Sequence, residues 1–373
     1  YQTGITTARS TLIAVADALA LQGFAAVAID LPLHGLLPGD PVREASENGL
    51  TTAGIPLPTE RTFDVDYVTQ DPNGSITAPA PDMVTDSSGR HFINLSSLMT
   101  WRDNLRQAVS DLLVVHSQLG NMDYDGGTQP DFDTDDVHFL GWSLGAMVGS
   151  VFLALEPAVG AAVLAMPGGG VAKLLDGSPA FGPEIEAGLL AAAGIAKGTA
   201  DYESFLGAAQ TLVDSVDPLN YANQGMGTPG GNGGTTLAGT RGIMMFEVIG
   251  DGGANPPDQT IPNNVGTFPT FADAPPGTVP SPTAGTDPLH REMNLVPVTA
   301  TALTGGGGVS NQPLPLLRFT AGYHGSIVDP AMDPLASLDV FDVMQTGMGD
   351  FLDNDGASFD VSTTNFAAVV ANN

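Results

Sequence analysis

The feature that most constrains this chain is the segment Gly-Trp-Ser-Leu-Gly at residues 141–145. An apolar run at residues 137–140 precedes it and predicts a buried strand, and an apolar stretch at residues 144–155 follows it and predicts a helix. At such a strand-to-helix turn the serine hydroxyl projects at the helix N-terminus, where amide groups stabilise developing negative charge. The context therefore predicts a nucleophilic Ser143; the alternative is a glycine-rich turn with an idle serine.

Segments typical of strands and helices alternate along the rest of the chain. The predicted strands are residues 24–29, 137–140, 161–166, 243–249 and 316–320. The predicted helices are residues 11–22, 98–119, 144–155, 185–196, 202–216, 287–293 and 338–352. This alternation predicts the α/β class, with a mostly parallel, doubly wound sheet.

Two long segments interrupt the alternation and define the expected domain organisation. Residues 36–97 are rich in Pro, Gly, Asp and Thr and predict a surface insertion. Residues 171–240 contain two Ala- and Leu-rich helical stretches and predict a helical cap. We therefore expect one domain, whose core is formed by residues 1–170 and 241–373. Such a sheet needs a strand before the turn at Thr3-Gly4, so we expect an N-terminal part, which could carry an export signal, before Tyr1.

Charge and composition exclude several classes of protein. The chain has 41 acidic against 11 Lys and Arg residues, a formal charge of −30, which excludes nucleic acid as a partner. It contains no cysteine, which excludes disulfides and thiolate nucleophiles. The sequence contains no run of 18 apolar residues, so it predicts no transmembrane segment. So acidic a surface suits a salty habitat, and a plain solubility surface is the alternative.

Further motifs occur at intervals over nearly the whole chain. They are Gly4-Ile5-Thr6-Thr7, Asp30-Leu31-Pro32-Leu33-His34-Gly35, Arg102-Asp103-Asn104-Leu105-Arg106, the segment 141–145, Asp258-Gln259-Thr260-Ile261-Pro262 and Gly322-Tyr323-His324-Gly325. Together they resemble the α/β-hydrolase superfamily and, within it, secreted bacterial lipases and carboxylesterases, including polyester-hydrolysing esterases. The resemblance implies an α/β-hydrolase fold with a helical cap, a secreted or cell-surface location and a triad in the order serine, acid, histidine.

The resemblance and the position of each side chain nominate the other two members of the triad. Of the six histidines, His324 follows the final predicted strand in a loop flanked by glycines, where a general base could reach Ser143. The other five are His34, His91, His116, His138 and His290. The acid is expected near the end of the strand at 243–249, where the candidates are Glu247 within the strand and Asp251 and Asp258 after it. The family commonly places its acid before a segment ending in an aliphatic residue and Pro, which favours Asp258 over Asp251.

The resemblance also implies where the oxyanion and the acyl group would bind. The oxyanion donors would be the N–H groups of Leu144 and Ile5. Two departures, Thr3-Gly4 where His-Gly is usual and Trp142 where His is commoner, change the surroundings of the acyl site without removing a backbone donor. Trp142 is therefore expected at the substrate.

The stretch 185–196 is apolar on too much of its circumference for a surface helix. We expect Leu189 and Leu190 to line the acyl site beneath a cap, with ordinary core packing as the alternative.

An acidic stretch at residues 123–136 raises the question of a metal. Its alternating carboxylates resemble a calcium loop, with candidate ligands Asp123, Asp125, Asp131 and Asp133. Gly127 stands where a third acidic ligand would be, so a solvated loop is favoured and calcium is the alternative. The expected chemistry itself requires no metal and no organic cofactor.

The sequence thus predicts hydrolysis of carboxylic esters through an acyl-enzyme, with a small-molecule, lipid or polymeric ester as substrate. Acyl transfer to an alcohol by the same residues is the nearest alternative. A catalytically silent, secreted binding protein and a calcium-dependent surface module are the alternatives outside enzymes.

Overall fold

Short buried strands and longer helices alternate in the computed structural model. The structure describes residues 1–371 except 58, 67–68, 71–72, 74, 78–81, 124–125, 128, 223–240, 267–274 and 305–313. The helices are α1 (Ile13–Leu21), α2 (Pro41–Thr52), α3 (Leu98–Gln118), α4 (Leu144–Leu155), α5 (Val171–Gly177), α6 (Gly182–Ala193), α7 (Ala200–Val213), α8 (Thr286–Glu292), α9 (Leu338–Asp353) and α10 (Phe366–Val369). The strands are β1 (Thr69–Gln70), β2 (Ile76–Thr77), β3 (Phe139–Trp142), β4 (Ala162–Ala165), β5 (Ile243–Val248), β6 (Val296–Pro297), β7 (Ala302–Thr304), β8 (Pro315–Phe319) and β9 (Ser358–Asp360).

Five of these strands form one parallel sheet in the order β3-β4-β5-β8-β6. Leu140 lies opposite Val163, and Met245 lies opposite Leu316. Gln2 extends the sheet by single parallel bridges to Gly141 and to Ile29. The predicted α/β class with a mostly parallel sheet is confirmed.

Helices cover both faces of the sheet, and the central strands carry apolar side chains on each face. Met245 belongs to a hydrophobic cluster with side chains of α3, α4, α5, α6 and α7. Its neighbours Met244 and Phe246 point to the other face and join a cluster with α1 and α9. Within the described residues, no helix is long and apolar enough to cross a membrane.

Helix ends follow local signals that the sequence displays. The hydroxyl of Ser97 accepts the N–H of Thr100 and caps α3. Gly23, with φ +87°, ends the turn after α1. Because these signals are local, the predicted and observed boundaries of α1, α3, α4 and α9 agree closely.

The predicted strand at residues 24–29 is wrong as a regular strand. Only Ile29 takes part in a bridge, with Gln2, although the Tyr1 amine also donates to the Val27 carbonyl at 2.8 Å. Side chains along this run are half-buried or exposed rather than buried. Apolar composition predicts burial, but a strand also requires a hydrogen-bonded neighbour along its length.

The helix predicted at 185–196 is apolar around much of its circumference, but it buries only one of its faces. In α6, Ile185 and Leu189 form one buried stripe, whereas Leu190 is 52% exposed. The helices α5, α6 and α7 share one hydrophobic cluster with α3 and α4. The segment predicted as a cap therefore packs on the core, and its glycine-rich tail at 225–239 lies outside the described residues.

A buried ion pair joins α5 to the turn before α7. Lys197 Nζ lies 2.8 Å from Asp176 Oδ1, and both side chains are at least 98% buried. The Tyr202 hydroxyl donates to the same carboxylate oxygen at 2.8 Å. One of the two lysines of this acidic chain thus has a structural partner in the interior.

Candidate active site

Ser143 lies at the sharp turn between β3 and α4. Its backbone has φ 56° and ψ −125°, a conformation that costs a non-glycine residue about 1–3 kcal/mol and that the surroundings must enforce. Its N–H donates to the Ala165 carbonyl of the neighbouring strand at 2.8 Å. The side chain projects from a residue that is only 3% exposed.

The two glycines of the motif are required by close backbone contacts. A Cβ at position 145 would lie 2.1 Å from the Gln2 carbonyl oxygen. A Cβ at position 141 would lie 2.7 Å from the Ala146 Cα. Gln2 is bridged to the sheet and Ala146 belongs to α4, so neither backbone atom can move without displacing its element. Only glycine therefore fits at positions 141 and 145.

Asp258 and His324 meet at the carboxyl ends of β5 and β8. The Asp258 N–H donates to the Val248 carbonyl at 3.0 Å, which returns the loop after β5 to the strand end. Asp258 Oδ2 lies 2.6 Å from His324 Nδ1, within hydrogen-bond distance. The other oxygen, Oδ1, accepts the N–H groups of Thr260 at 2.7 Å and Ile261 at 3.0 Å.

Asp251, the alternative acid, has different partners. It is exposed, and its Oδ1 accepts the N–H groups of Gly253 at 2.7 Å and Asn255 at 3.0 Å. These bonds to its own turn lower the pKa of Asp251. Of the two candidates, the structure brings Asp258 to His324.

The contact with Asp258 determines which nitrogen of His324 can act as a base. A carboxylate only accepts, so Nδ1 carries the hydrogen and Nε2 holds a lone pair. Nε2 is buried and makes no hydrogen bond within the described residues. A buried imidazole nitrogen with a free lone pair can accept a proton from a hydroxyl group within hydrogen-bond distance.

Trp142 contacts the histidine loop and does not line the cavity described next. Its indole Nε1–H donates to the His324 carbonyl at 2.8 Å. The rings of Trp142 and His324 lie 5.9 Å apart, centroid to centroid. Trp142 is expected at the substrate from the sequence, whereas the structure places it against the His324 loop, directly before Ser143 in the chain.

A narrow cavity of about 30 Å³ opens beside Ser143. Ile5, Ser143 and Leu144 form one side of it, and the rest of the lining is apolar. The other lining residues are Phe92, Ile93, Trp101, Leu105, Met147, Val171, Leu174, Leu175, Phe181 and Ile261. Leu189 and Leu190, expected here from the sequence, are not among them.

Sequence reasoning missed the contribution of α5 to this cavity. Val171, Leu174 and Leu175 have the i, i+3, i+4 spacing of one apolar helix face, which is visible in the sequence. The helix is only seven residues long, which is too short to be predicted as a separate element within the segment assigned to the cap. Two larger cavities, of about 150 and 380 Å³, lie beside residues 24–30 and include no residue of this site.

Two backbone N–H groups adjoin Ser143. Leu144 is the first residue of α4, so its N–H has no acceptor within the helix. The turn at Gly4-Ile5 packs directly on the serine, since a Cβ on Gly4 would lie 3.0 Å from the Ser143 Cβ. Within the described residues, the Ile5 N–H makes no hydrogen bond. The geometry leaves two donors free at the edge of the cavity.

A cluster of largely buried titratable side chains lies behind the loop that carries Asp258. Arg318 on β8 contacts Glu247 on β5 at 3.0 Å and Asp287 on α8 at 3.6 Å. Burial raises the pKa of Glu247 to about 8, and the neighbouring Asp287 adds to this increase. Asn264 donates to Asp287 at 2.9 Å, which ties the loop after Asp258 to α8.

Three groups of acidic and histidine side chains in the described residues are close enough together to be considered for a metal. They are Asp136, His138 and Asp355; Glu247, Asp287 and His290; and Asp64, Asp66 and Asp82. In the first, His138 Nδ1 accepts the Ala161 N–H at 2.9 Å, so its Nε2 carries the hydrogen and cannot ligate as the neutral ring. In the second, the Arg318 guanidinium already supplies the positive charge. The third consists of exposed carboxylates.

The calcium alternative concerns different residues. Asp123 Oδ1 accepts the N–H groups of Gly126 at 2.8 Å and Gly127 at 3.1 Å, and Asp133 Oδ1 accepts the N–H of Asp135 at 3.0 Å. Asp125 lies outside the described residues. Asp123, Asp131 and Asp133 belong to none of the three groups found in the described part of the chain. Calcium binding here stays a prediction.

Neither of two comparisons with known proteins assigns a family or a function to this chain. No model of a protein family matches this chain. No curated protein matches its sequence.

Proposed function

We propose that this protein is a serine hydrolase of the α/β-hydrolase type that cleaves carboxylic esters through an acyl-enzyme. The observation that carries the proposal is the 2.6 Å contact between His324 Nδ1 and Asp258 Oδ2. The loop that carries His324 is bonded to Trp142, the residue directly before Ser143 in its strained strand-to-helix turn. A histidine oriented by a buried carboxylate, with its second nitrogen free, is the base that a serine nucleophile requires.

The topology supports the same grouping. Ser143, Asp258 and His324 follow β3, β5 and β8, three parallel strands of one sheet. The carboxyl ends of parallel strands lie at one edge of a sheet, where α/β proteins bind their ligands. Three residues far apart in the chain therefore converge at one edge.

In the proposed reaction, Ser143 Oγ attacks the ester carbonyl carbon while His324 Nε2 takes the hydroxyl proton. Asp258 keeps the His324 ring in the tautomer with its hydrogen on Nδ1. The carbonyl oxygen becomes an anion, which the N–H groups of Leu144 and Ile5 stabilise.

His324 then returns the proton to the alcohol oxygen as the carbon–oxygen bond breaks. A water molecule, deprotonated by the same nitrogen, then attacks the acyl carbon. The bond from this carbon to Ser143 Oγ breaks, His324 returns the proton to Oγ, and the acid is released.

The cavity supports a short, uncharged acyl group as substrate. Its lining beside Ser143 is apolar, so a charged acyl chain would lose its hydration without gaining a partner. The cavity is narrow, which favours acyl chains of a few carbons over long ones. We propose esters of short-chain acids as the substrates.

The test is a substitution of Ser143 with a matched control in the same helix region. Ser143→Ala should lower kcat on p-nitrophenyl butyrate by about four to six orders of magnitude, because binding and the oxyanion donors alone are weak catalysts. A fluorophosphonate should add its mass to the wild type and not to this variant. Ser150→Ala is the control, since Ser150 is a buried serine of α4 that donates to the Ala146 carbonyl.

Two results would contradict the proposal. One is a Ser143→Ala variant with turnover near that of the wild type. The other is a wild-type protein that neither hydrolyses short esters nor reacts with the fluorophosphonate, as expected of a silent binding protein. Recovery of a transesterified product in place of the free acid would indicate the acyltransferase alternative.

A further inference from the structure

The turn from Gly4 to Thr7 holds the peptide group that carries the Ile5 N–H. The Thr7 hydroxyl donates to the Gly4 carbonyl at 2.8 Å. This carbonyl and the Ile5 N–H belong to one planar trans peptide, so they point in opposite directions. A bond that fixes the carbonyl therefore also fixes the direction of the N–H.

A row of threonines holds the Thr7 hydroxyl in turn. Thr3 Oγ1 lies 2.5 Å from Thr7 Oγ1 and 2.7 Å from Thr11 Oγ1. Thr3 is fully buried, and it adjoins Gly4 in the segment that bridges to the sheet through Gln2. The row connects the turn to Thr11, two residues before α1, so the hydroxyl of Thr7 has little freedom to rotate.

His34 holds the next peptide of the same turn. Its Nδ1 lies 2.8 Å from the Pro32 carbonyl, which can only accept, so Nδ1 carries the hydrogen. Its Nε2 is therefore the acceptor for the Thr6 N–H at 3.2 Å. Thr6 has φ 63°, a left-handed conformation that a threonine rarely adopts without such a restraint.

The site around His34 is closed on every side. The His34 side chain is fully buried, and it packs edge-on against Phe92, a residue of the cavity wall. A Cβ on Gly89 would lie 2.3 Å from His34 Nε2, so glycine is needed beside the ring. The ring position is set by packing as well as by its two hydrogen bonds.

We infer that the Thr7 hydroxyl and the His34 ring are positioning residues that orient the Ile5 N–H toward the anion formed at Ser143. The inference rests on the proposed function. Neither side chain touches the reacting atoms; each acts through the backbone of the turn. Because an oxyanion donor stabilises the transition state more than the ground state, loss of its orientation should lower kcat and leave KM nearly unchanged.

The first experiment uses Thr7→Val, which keeps the shape of the side chain and removes only the hydroxyl. Removing a whole oxyanion donor costs about 10²–10³ in kcat, so misorienting one should cost about 10- to 100-fold. Affinity for a trifluoromethyl ketone, whose adduct with the serine carries the same anion, should fall in parallel. Thr7→Ser, which restores a hydroxyl, should recover most of the kcat.

Thr364→Val is the matched control. Thr364 is half-buried like Thr7, and its hydroxyl donates to the carbonyl three residues earlier, at 2.7 Å. It belongs to neither the turn nor the cavity. Its substitution should change stability by as much as Thr7→Val and leave kcat and inhibitor affinity unchanged.

The second experiment compares His34→Phe with His138→Phe. The side chains of both histidines are buried, and each accepts a backbone N–H through one ring nitrogen. His138, however, directly precedes β3 and bonds Ala161 rather than the turn. Both variants should lose thermal stability, and only His34→Phe should lower kcat.

Two outcomes would overturn the inference. One is a kcat that stays within about twofold of the wild type in both Thr7→Val and His34→Phe. The other is an equal loss of kcat in the Thr364 and His138 controls. If Ser143→Ala abolishes turnover while Thr7→Val does not lower it, the inference alone fails; if Ser143→Ala leaves turnover intact, the proposed function fails.

Discussion

Asp258→Asn is the substitution whose effect the structure specifies in most detail. Oδ1 of Asp258 accepts two backbone N–H groups, at 2.7 and 3.0 Å, and Oδ2 faces His324 Nδ1 at 2.6 Å. An asparagine must keep its carbonyl oxygen toward the two N–H groups, because its amide nitrogen is only a donor. The amide nitrogen therefore faces Nδ1, which must give up its hydrogen and become the acceptor.

This rearrangement moves the ring hydrogen of His324 to Nε2, where the proposed reaction requires a lone pair. The wrong tautomer of a triad histidine costs about 10⁴ in kcat, which corresponds to about 5 kcal/mol of transition-state free energy. Stability should change far less, because both backbone bonds persist. A loss of about 1–2 kcal/mol would lower the melting temperature by about 1–3 °C in a chain of this length.

The assay is kcat on p-nitrophenyl butyrate at neutral pH, together with a thermal melt and the ¹⁵N chemical shifts of the His324 ring. Asp251→Asn is the matched control, since Asp251 is the other acid that follows β5 and it bonds only its own turn among the described residues. The control should retain the wild-type kcat. An Asp258→Asn variant with kcat within about tenfold of the wild type, and with its melting temperature preserved, would contradict the role assigned to Asp258.

Two further predictions concern the cavity and a buried carboxyl group. Leu174→Ala should shift the preferred acyl chain to longer acids by about two or three carbons, the size of the atoms removed, and lower the free energy of unfolding by about 2–5 kcal/mol. Leu190→Ala should leave the acyl-length profile unchanged, because Leu190 is exposed outside the cavity. An equal shift in both variants would contradict the assignment of the cavity. Glu247 keeps its proton up to about pH 8 in the folded state, because burial raises its pKa, and loses it at ordinary acidic pH when unfolded, so its contribution to stability falls as pH rises from about 5 to 8. Glu247→Gln should remove that part of the pH dependence in urea unfolding, and a variant with the wild-type slope would contradict this origin.

The order of strands and helices could be predicted because its signals are local. The apolar runs at β3, β4, β5 and β8 and the periodicity of α3, α4 and α9 lie within single segments. The unusual backbone of Ser143 could be anticipated for the same reason, since two glycines and the change from strand to helix are adjacent in sequence.

Failures of the sequence predictions arose where a contact, not a local pattern, decides the outcome. Residues 24–29 have the composition of a strand, but hydrogen-bonded neighbours determine whether a ladder forms. Leu189 and Leu190 are equivalent by composition, and only the packing of α6 buries the first and exposes the second. The short helix α5 lines the cavity because of where the core places it.

Periodicity, charge and glycine placement act over a few residues, so the α/β class, the acidic surface and the strand-to-helix turn at Ser143 can be predicted from the sequence. Long-range contacts in the fold bring Asp258 and not Asp251 to His324, place Trp142 against the histidine loop, and bond Thr7 and His34 to the turn that carries Ile5. The contacts at His324 join residues far apart in the chain. His324 lies 66 residues from Asp258 and 182 from Trp142, and no local pattern encodes which loop ends meet when the strands of the sheet come together.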